Sequence, residues 1–247
     1  PPGPVGRWDF ATTLDVELPV GALASLPDEA VLNGRNIAAI GSEADGFEVI
    51  QFRSAELIGA GLWRVTGLLR GQGGTSDLAA RGHAEGARFV RIDAATPHLD
   101  LDPSEIGLAR TLRVGPLAIA FDPDRFTTQD FVVAGRWRLP FAPAHLRGSR
   151  DAAGDVALSW IRQTRVGGDG WEQVEVPLGE ATEAYRVDLL EGATQRASFD
   201  TTVPSLLLSA GDLAAVLSAP EASFTIRVRQ LSATAGPGIA TEIVVYG

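Results

Sequence analysis

Three stretches in the last hundred residues alternate between apolar and polar side chains, and a period of two is what a half-buried strand requires. Val156, Leu158 and Trp160 alternate with Ala157 and Ser159; Tyr185, Val187 and Leu189 with Arg186 and Asp188; Phe224, Ile226 and Val228 with Thr225, Arg227 and Arg229. Each offers one face to a core and one to water, as strands of two stacked sheets do. Residues 204–209 and 242–246 add two further strands, and residues 194–199 a short one. Only residues 211–217, with Leu213, Val216 and Leu217 at helical spacing, predict a helical turn.

The earlier part of the chain is also strand-like. Phe47-Glu48-Val49-Ile50-Gln51-Phe52, Leu62-Trp63-Arg64-Val65 and Arg88-Phe89-Val90-Arg91-Ile92 are rich in aromatic and β-branched residues and bounded by glycine. Gly59-Ala60-Gly61 supplies a turn in which glycine takes a positive φ, so the first two runs are expected to pair antiparallel. Thr111-Leu112-Arg113-Val114 and Leu117-Ala118-Ile119-Ala120-Phe121 read as a further strand run, broken at Gly115-Pro116 because proline lacks the ladder donor. The expected class is all-β: a mainly antiparallel β domain followed by a sandwich.

A chain of 247 residues exceeds the usual single core of roughly 100 to 150 residues, so two units are expected. Arg138-Leu139-Pro140-Phe141-Ala142-Pro143 interrupts the apolar patterning, which places the boundary so that the units are 1–139 and 140–247. Residues 1–15, where Trp8 and Phe10 stand without a complete element around them, are expected to be the tail of a preceding domain. With no methionine and a Pro1-Pro2-Gly3-Pro4 opening, the chain is expected to be part of something longer.

Composition excludes several chemistries. All 21 basic residues counted as Lys or Arg are arginine, and cysteine is absent. Schiff-base lysines, the P-loop lysine, thiolate nucleophiles, thiolate zinc sites and disulfides are therefore ruled out. The net charge of −10 disfavours a non-specific hold on nucleic acid or anionic lipid. Arg81, Arg88 and Arg91 are better read as a solvated strand face than as a phosphate track. No apolar run reaches the roughly 18 residues of a membrane span, and no stable membrane anchor is expected.

From Pro140 onward the order of features resembles a fibronectin type III domain. A proline-bounded start is followed by Leu158-Ser159-Trp160, Tyr185-Arg186-Val187, the alternating Phe224 to Val228, and a last strand after Gly236-Pro237-Gly238. Phe224 stands where that family usually carries tyrosine, which removes the hydroxyl-mediated corner bond. In the first unit, Asn33-Gly34-Arg35-Asn36 and the string from Glu56 through Gly67-Leu68-Leu69-Arg70-Gly71-Gln72-Gly73-Gly74 to Thr75 resemble a region of large tail-tip proteins. Those are the proteins of alphaproteobacterial gene transfer agents and related long-tailed phages, and the region lies toward their carboxyl end. The resemblance implies a homotrimer with neighbouring tail-tip proteins as partners, working in host attachment and envelope opening at the tip of a virion or phage-like particle. It transfers no catalytic residue, because the family's glycosidase-like barrel would lie upstream.

His98, Asp100 and Asp102 alternate and would share a face of an extended chain as a metal trio, but a polar loop bracketed by Pro97 and Pro103, with Leu99 and Leu101 turned inward, is simpler. Gly71-Gln72-Gly73-Gly74-Thr75-Ser76 would cradle an anion only by opening a helix, and a strand-exit loop accounts for it. His83 and Glu85 would form a proton relay, against solvated loop side chains; His145 has no nucleophile tied to it. Trp171 and Asp169, in a glycine-flanked loop, and Arg70, at a strand end, are the candidate surface contacts. No catalytic residue, cofactor or metal is expected. The leading expectation is a structural module of a phage-like tail tip or baseplate; a glycan-binding accessory region of a secreted carbohydrate-active enzyme is the alternative.

Overall fold

The computed structural model describes residues 1–167, 176–220 and 222–246. The first part builds one six-stranded sheet from β1 (Trp8–Asp9), β2 (Leu14–Glu17), β3 (Ile37–Ser42), β4 (Gly46–Gly59), β5 (Leu62–Gln72) and β6 (Arg88–Ile92). Helix α1 (Asp28–Leu32) precedes β3, and α2 (Ser76–Arg81) follows β5. The order is β1-β5-β4-β3-β6, with β2 also on β5, and every pairing is antiparallel. The β4–β5 hairpin turns at Gly59-Ala60-Gly61 as the glycines predict, with Gly61 at φ 69° and Leu57 opposite Trp63. It is longer than the apolar runs suggest, because the ladder continues through polar Ser54 and Glu56.

The opening residues are not the tail of another domain. Trp8 pairs with Leu69, and Leu14 with Val65, so β1 and β2 occupy the outer edge of β5 in succession. Short strands with little alternation are ordered here because β5 would otherwise leave that edge unpaired. The Gly3 amide also donates to the Ala79 carbonyl at 3.0 Å. Gly67, at φ 64°, turns the strand face, so Val65 and Leu68 both reach the core with Val16, Leu23, Ala38, Ile40, Ile50 and Phe52. On the other face α1 is held by Gln51, whose side-chain amide donates to the Val31 and Arg35 carbonyls.

Beyond this sheet, β7 (Ala109–Val114) and β8 (Thr127–Val132) form a two-stranded ribbon. The expected strand over residues 117–121 does not form. Those residues take a turn at the ribbon tip, because Pro116 cannot donate and Gly115 packs directly on the Phe126 ring. The partner of β7 is the polar run Thr127–Val132, which carries little hydrophobic signal.

The remaining strands are β9 (Ala144–Arg150), β10 (Val156–Ile161), β11 (Tyr185–Glu191), β12 (Thr194–Thr201), β13 (Ser205–Leu208), β14 (Phe224–Ser232), β15 (Gly236–Pro237) and β16 (Thr241–Val245), with helix α3 (Ala210–Val216) after β13. A three-stranded sheet, β13-β10-β9, faces a four-stranded one, β12-β11-β14-β16, while β15 pairs with the far end of β14. Strands β10 and β14 alternate buried and open positions without a break, and their inward residues close one core with Tyr185, Val187, Leu189, Leu208 and Val245. This three-on-four antiparallel arrangement is a fibronectin type III-like sandwich. The expected helical turn is α3, capped by Ser209 and Asp212 in a reciprocal box.

The outer face of the larger sheet carries cross-strand ion pairs: Arg186 with Asp200, Arg229 with Asp188 and Arg227 with Glu242. The alternating arginines are thus matched by carboxylates within the sheet. Trp160, 4% exposed, meets Tyr185 edge-on with ring centroids 5.2 Å apart. Trp160→Ala is expected to cost about 3 to 5 kcal/mol. Hydrogen exchange should show accelerated opening of the strands from Ala144 to Val245 with the six-stranded sheet unchanged, and equal acceleration of both would contradict separate cores.

Candidate functional site

The densest concentration of buried charge lies at one end of the six-stranded sheet. Glu48 follows the same inward alternation as Ile50 and Phe52 on β4, so the strand carries its carboxylate into the interior at 0% exposure. Arg70 on β5 lies beside it, 2% exposed, with Nε donating to Glu48 Oε1 at 2.7 Å and Nη2 to Oε2 at 2.8 Å. This is the parallel two-point geometry that only arginine supplies. The Gly71 amide donates to Oε1 at 2.9 Å, and His83 Nε2 lies 2.8 Å from Oε2. Both oxygens are therefore occupied.

Asp9, from β1, completes the group. Its Oδ1 accepts from the Ala11 and Thr12 amides at 3.1 and 3.0 Å, while buried Oδ2 has no hydrogen-bond partner and faces Arg70 Nη1 at 3.8 Å. The opening residues cover the cluster: the Pro1 carbonyl lies 3.4 Å from Arg70 Nη1, and a Cβ on Gly3 would stand 2.5 Å from that nitrogen and 2.7 Å from Asp9 Oδ2. Only glycine lets the backbone pass this close. A cleft of about 640 Å³ adjoins, lined in part by Leu14, Val16, Arg70, His83, Glu85 and Phe89.

The electrostatics favour a lock over a proton-transfer centre. Burial by itself raises the Glu48 carboxyl, yet the Arg70 hydrogen bonds and charge, with the contacts from His83 and Gly71, hold it below the usual carboxylate range. Asp9 behaves likewise: burial raises it, and Thr12, Ala11 and Arg70 together bring it down. A general acid or base near neutrality needs the opposite shift.

Several expectations change against this geometry. Arg70, read as a surface contact, is buried and paired, because β5 continues to Gln72 and its alternation points residue 70 inward. His83 is not a solvated loop histidine and does not pair with Glu85; the loop after α2 folds it back onto Glu48. Arg64 pairs with Asp15 in the two-point manner at 2.8 Å, across β2 and β5. The glycine-rich loop is internal structure: Thr75 Oγ1 accepts from Val49 N at 3.0 Å, and Arg136 Nε donates to the Gly74 carbonyl at 3.2 Å. His98, Asp100 and Asp102 do not converge, and no three metal-ligating side chains do so among the described residues. Asp102 instead caps the turn Pro103–Glu105, and Leu99 is exposed. Arg81, Arg88 and Arg91 pair with Asp77, Glu43 and Asp93. His145 lies exposed on β9 at φ 52°. Trp171 and Asp169 fall outside the described residues. Among the described residues, no helix is long and apolar enough to cross a membrane.

The class defined so far is an all-β protein with a charge-locked antiparallel sheet and a fibronectin type III-like sandwich. Residues 1–90 match the family model described as "Rcc01698-like, C-terminal", a name linked to a gene transfer agent protein of Rhodobacter. No curated protein matches. Among solved structures, domains d3-d4 of the rat CD45 extracellular region share 8% identity, covering 63% of this chain and 72% of that one at a TM-score of 0.33. The FN5 domain of Drosophila Lar shares 14%, covering 44% and 99% at 0.27, and a structure titled "Myokine structure" shares 15%, covering 43% and 96% at 0.28. The fold class is defined by the strand order of the two sandwich sheets.

Removing one member of the cluster leaves the others buried and uncompensated. Arg70→Ala is expected to destabilise the first sheet by about 3 to 5 kcal/mol. Both carboxylates are depressed in the folded state, so their contribution is full at neutral pH and is lost as pH falls through and below the usual carboxylate range. Denaturant titrations along that range, read by exchange of the β4–β5 amides, should show a weaker acid dependence in Glu48→Gln than in the parent; an identical dependence would remove Glu48 from the account.

Proposed function

We propose that this chain is a structural module of a phage-like tail tip or baseplate, supporting assembly of the tip and attachment to, or opening of, the host envelope. The observation that carries the reading is the match of residues 1–90 to the family linked to a gene transfer agent protein. That stretch contains all four side chains of the buried cluster, Asp9, Glu48, Arg70 and His83, and strands β1 to β5 in full. The physics suits the role. A carboxylate saturated by arginine and histidine, with Asp9 facing the same arginine, fixes four chain segments in one register, and stiff sheets present loops and edges to partners without a poised catalytic group.

In this reading the partners are further copies of the chain, arranged as a trimer, and neighbouring tail-tip proteins. The host side is a surface glycan or receptor. Antibodies raised against the chain should label one end of purified particles in electron micrographs, and particles lacking residues 1–247 should assemble incompletely or adsorb poorly. Recovery of the chain only as part of a free secreted hydrolase, where it binds polysaccharide, would replace this reading with that of a glycan-binding accessory region.

A further inference from the structure

Two folded units joined through a short segment of chain turn relative to each other unless something holds them. Among the described strands, none of the six-stranded sheet pairs with any of the sandwich, so no shared sheet fixes their angle. The residues between them do more than connect.

Residues 133–140 are tied in turn to each part of the fold around them. The Val133 carbonyl accepts from the Gly107 amide at 2.9 Å, at the base of the β7–β8 ribbon, and a Cβ on buried Gly135 would stand 2.8 Å from Ile106 Cγ2. Arg136 reaches the first sheet: Nε donates to the Gly74 carbonyl at 3.2 Å, and Nη2 pairs with Asp77 Oδ1 on α2. The backbones meet there as well. A Cβ on Gly74 would lie 2.7 Å from the Arg136 carbonyl carbon and 3.1 Å from the Trp137 nitrogen, so position 74, at φ 80°, requires glycine for its conformation and for this contact. Pro140 belongs to the sandwich. Its carbonyl accepts from the Ile239 amide at 3.0 Å, and a Cβ on Gly238 would stand 2.6 Å from that oxygen.

Between these two clasps the chain has little freedom left. Arg136–Arg138 form a single helical turn, in which the Arg138 amide donates to the Gly135 carbonyl at 2.9 Å and the Leu139 amide to the Arg136 carbonyl at 3.1 Å. Leu139 is extended, at φ −67° and ψ 138°, the conformation a following proline favours, and the ring of Pro140 restricts the next φ. The torsions that a swivel would use are held by hydrogen bonds, a ring or a neighbouring backbone.

We propose that residues 133–140 are a rigid coupler that makes the first sheet, the ribbon base and the sandwich one body, with the clasp of Arg136 on Gly74 and Asp77 setting the angle. The glycine-rich loop after β5 is its socket. The sandwich is thereby held at one orientation to whatever anchors the first sheet, and a force applied to either reaches the other without being taken up by a hinge.

The chain contains no cysteine, so Leu57→Cys with Leu207→Cys in the whole chain places spin labels on β4 and β13 alone, at positions 58% and 64% exposed. Pulsed electron paramagnetic resonance should give one narrow distribution of distances between them. Adding Arg136→Ala should broaden it, with hydrogen exchange of both cores unchanged. Gly74→Ala, which displaces the same segment from the other side, should do likewise. A broad distribution without these further changes overturns the proposal, and so does one that stays single and narrow in both variants. Should either variant open the first sheet, seen as faster exchange of the β4–β5 amides, the other variant and the doubly labelled chain itself decide. The distances do not depend on whether particles contain the chain, so failure of the tail-tip reading leaves this result as it stands.

Discussion

Half of the backbone N–H and C=O groups of a strand point to each side, and in a chain with so little helix they are satisfied by a neighbouring strand or left at an edge. That requirement organises the molecule. β5 takes β4 on one side and both β1 and β2 on the other, which orders the opening residues although they have almost no strand signature of their own. In the sandwich, β11 and β14 lie side by side within the four-stranded sheet and carry its deepest apolar residues. Among the described residues, β7 and β8 meet the same requirement on one side only, each pairing with the other.

Once β4 and β5 are in register, their alternation forces Glu48 and Arg70 into the interior together. Burying either charge alone is prohibitive, and burying both is tolerable only because arginine engages both carboxylate oxygens and a backbone amide and His83 complete the shell. The cluster therefore selects one arrangement of its surroundings. β1 must lie where Asp9 faces Arg70, the loop after α2 must return His83, and a glycine must pass overhead at position 3. Its contribution is to specificity of packing across chain segments up to 69 residues apart.

These features distribute unevenly along the chain. The charge lock falls inside residues 1–90, where the family match lies, whereas the ribbon and the sandwich follow it. Arg136 reaches back from just before the sandwich to the Gly74 carbonyl and Asp77, and four residues later the Pro140 carbonyl accepts from Ile239. The chain thus passes from contacts with the first sheet to contacts with the sandwich within a few residues.

Local pattern sufficed for several elements whose own residues carry their signal. The alternation at Val156 to Trp160, Tyr185 to Leu189 and Phe224 to Val228 specified sandwich strands, the glycines at 59 and 61 specified the β4–β5 hairpin, and Leu213, Val216 and Leu217 specified α3. Strands β1, β2 and β8 were not legible, because they are ordered by the edges they fill; β3 and β9 were not read as strands either, and the run 117–121 was misleading because apolar residues at a turn imitate a strand. The site shows the same division. Spacing along β5 identifies Arg70 as a strand-end cation, but its burial depends on Glu48 one strand away and His83 beyond a helix. Periodicity reports which way a side chain points relative to its own backbone; which charges meet is decided only when strands distant in sequence lie side by side, because pairing and desolvation are properties of neighbours.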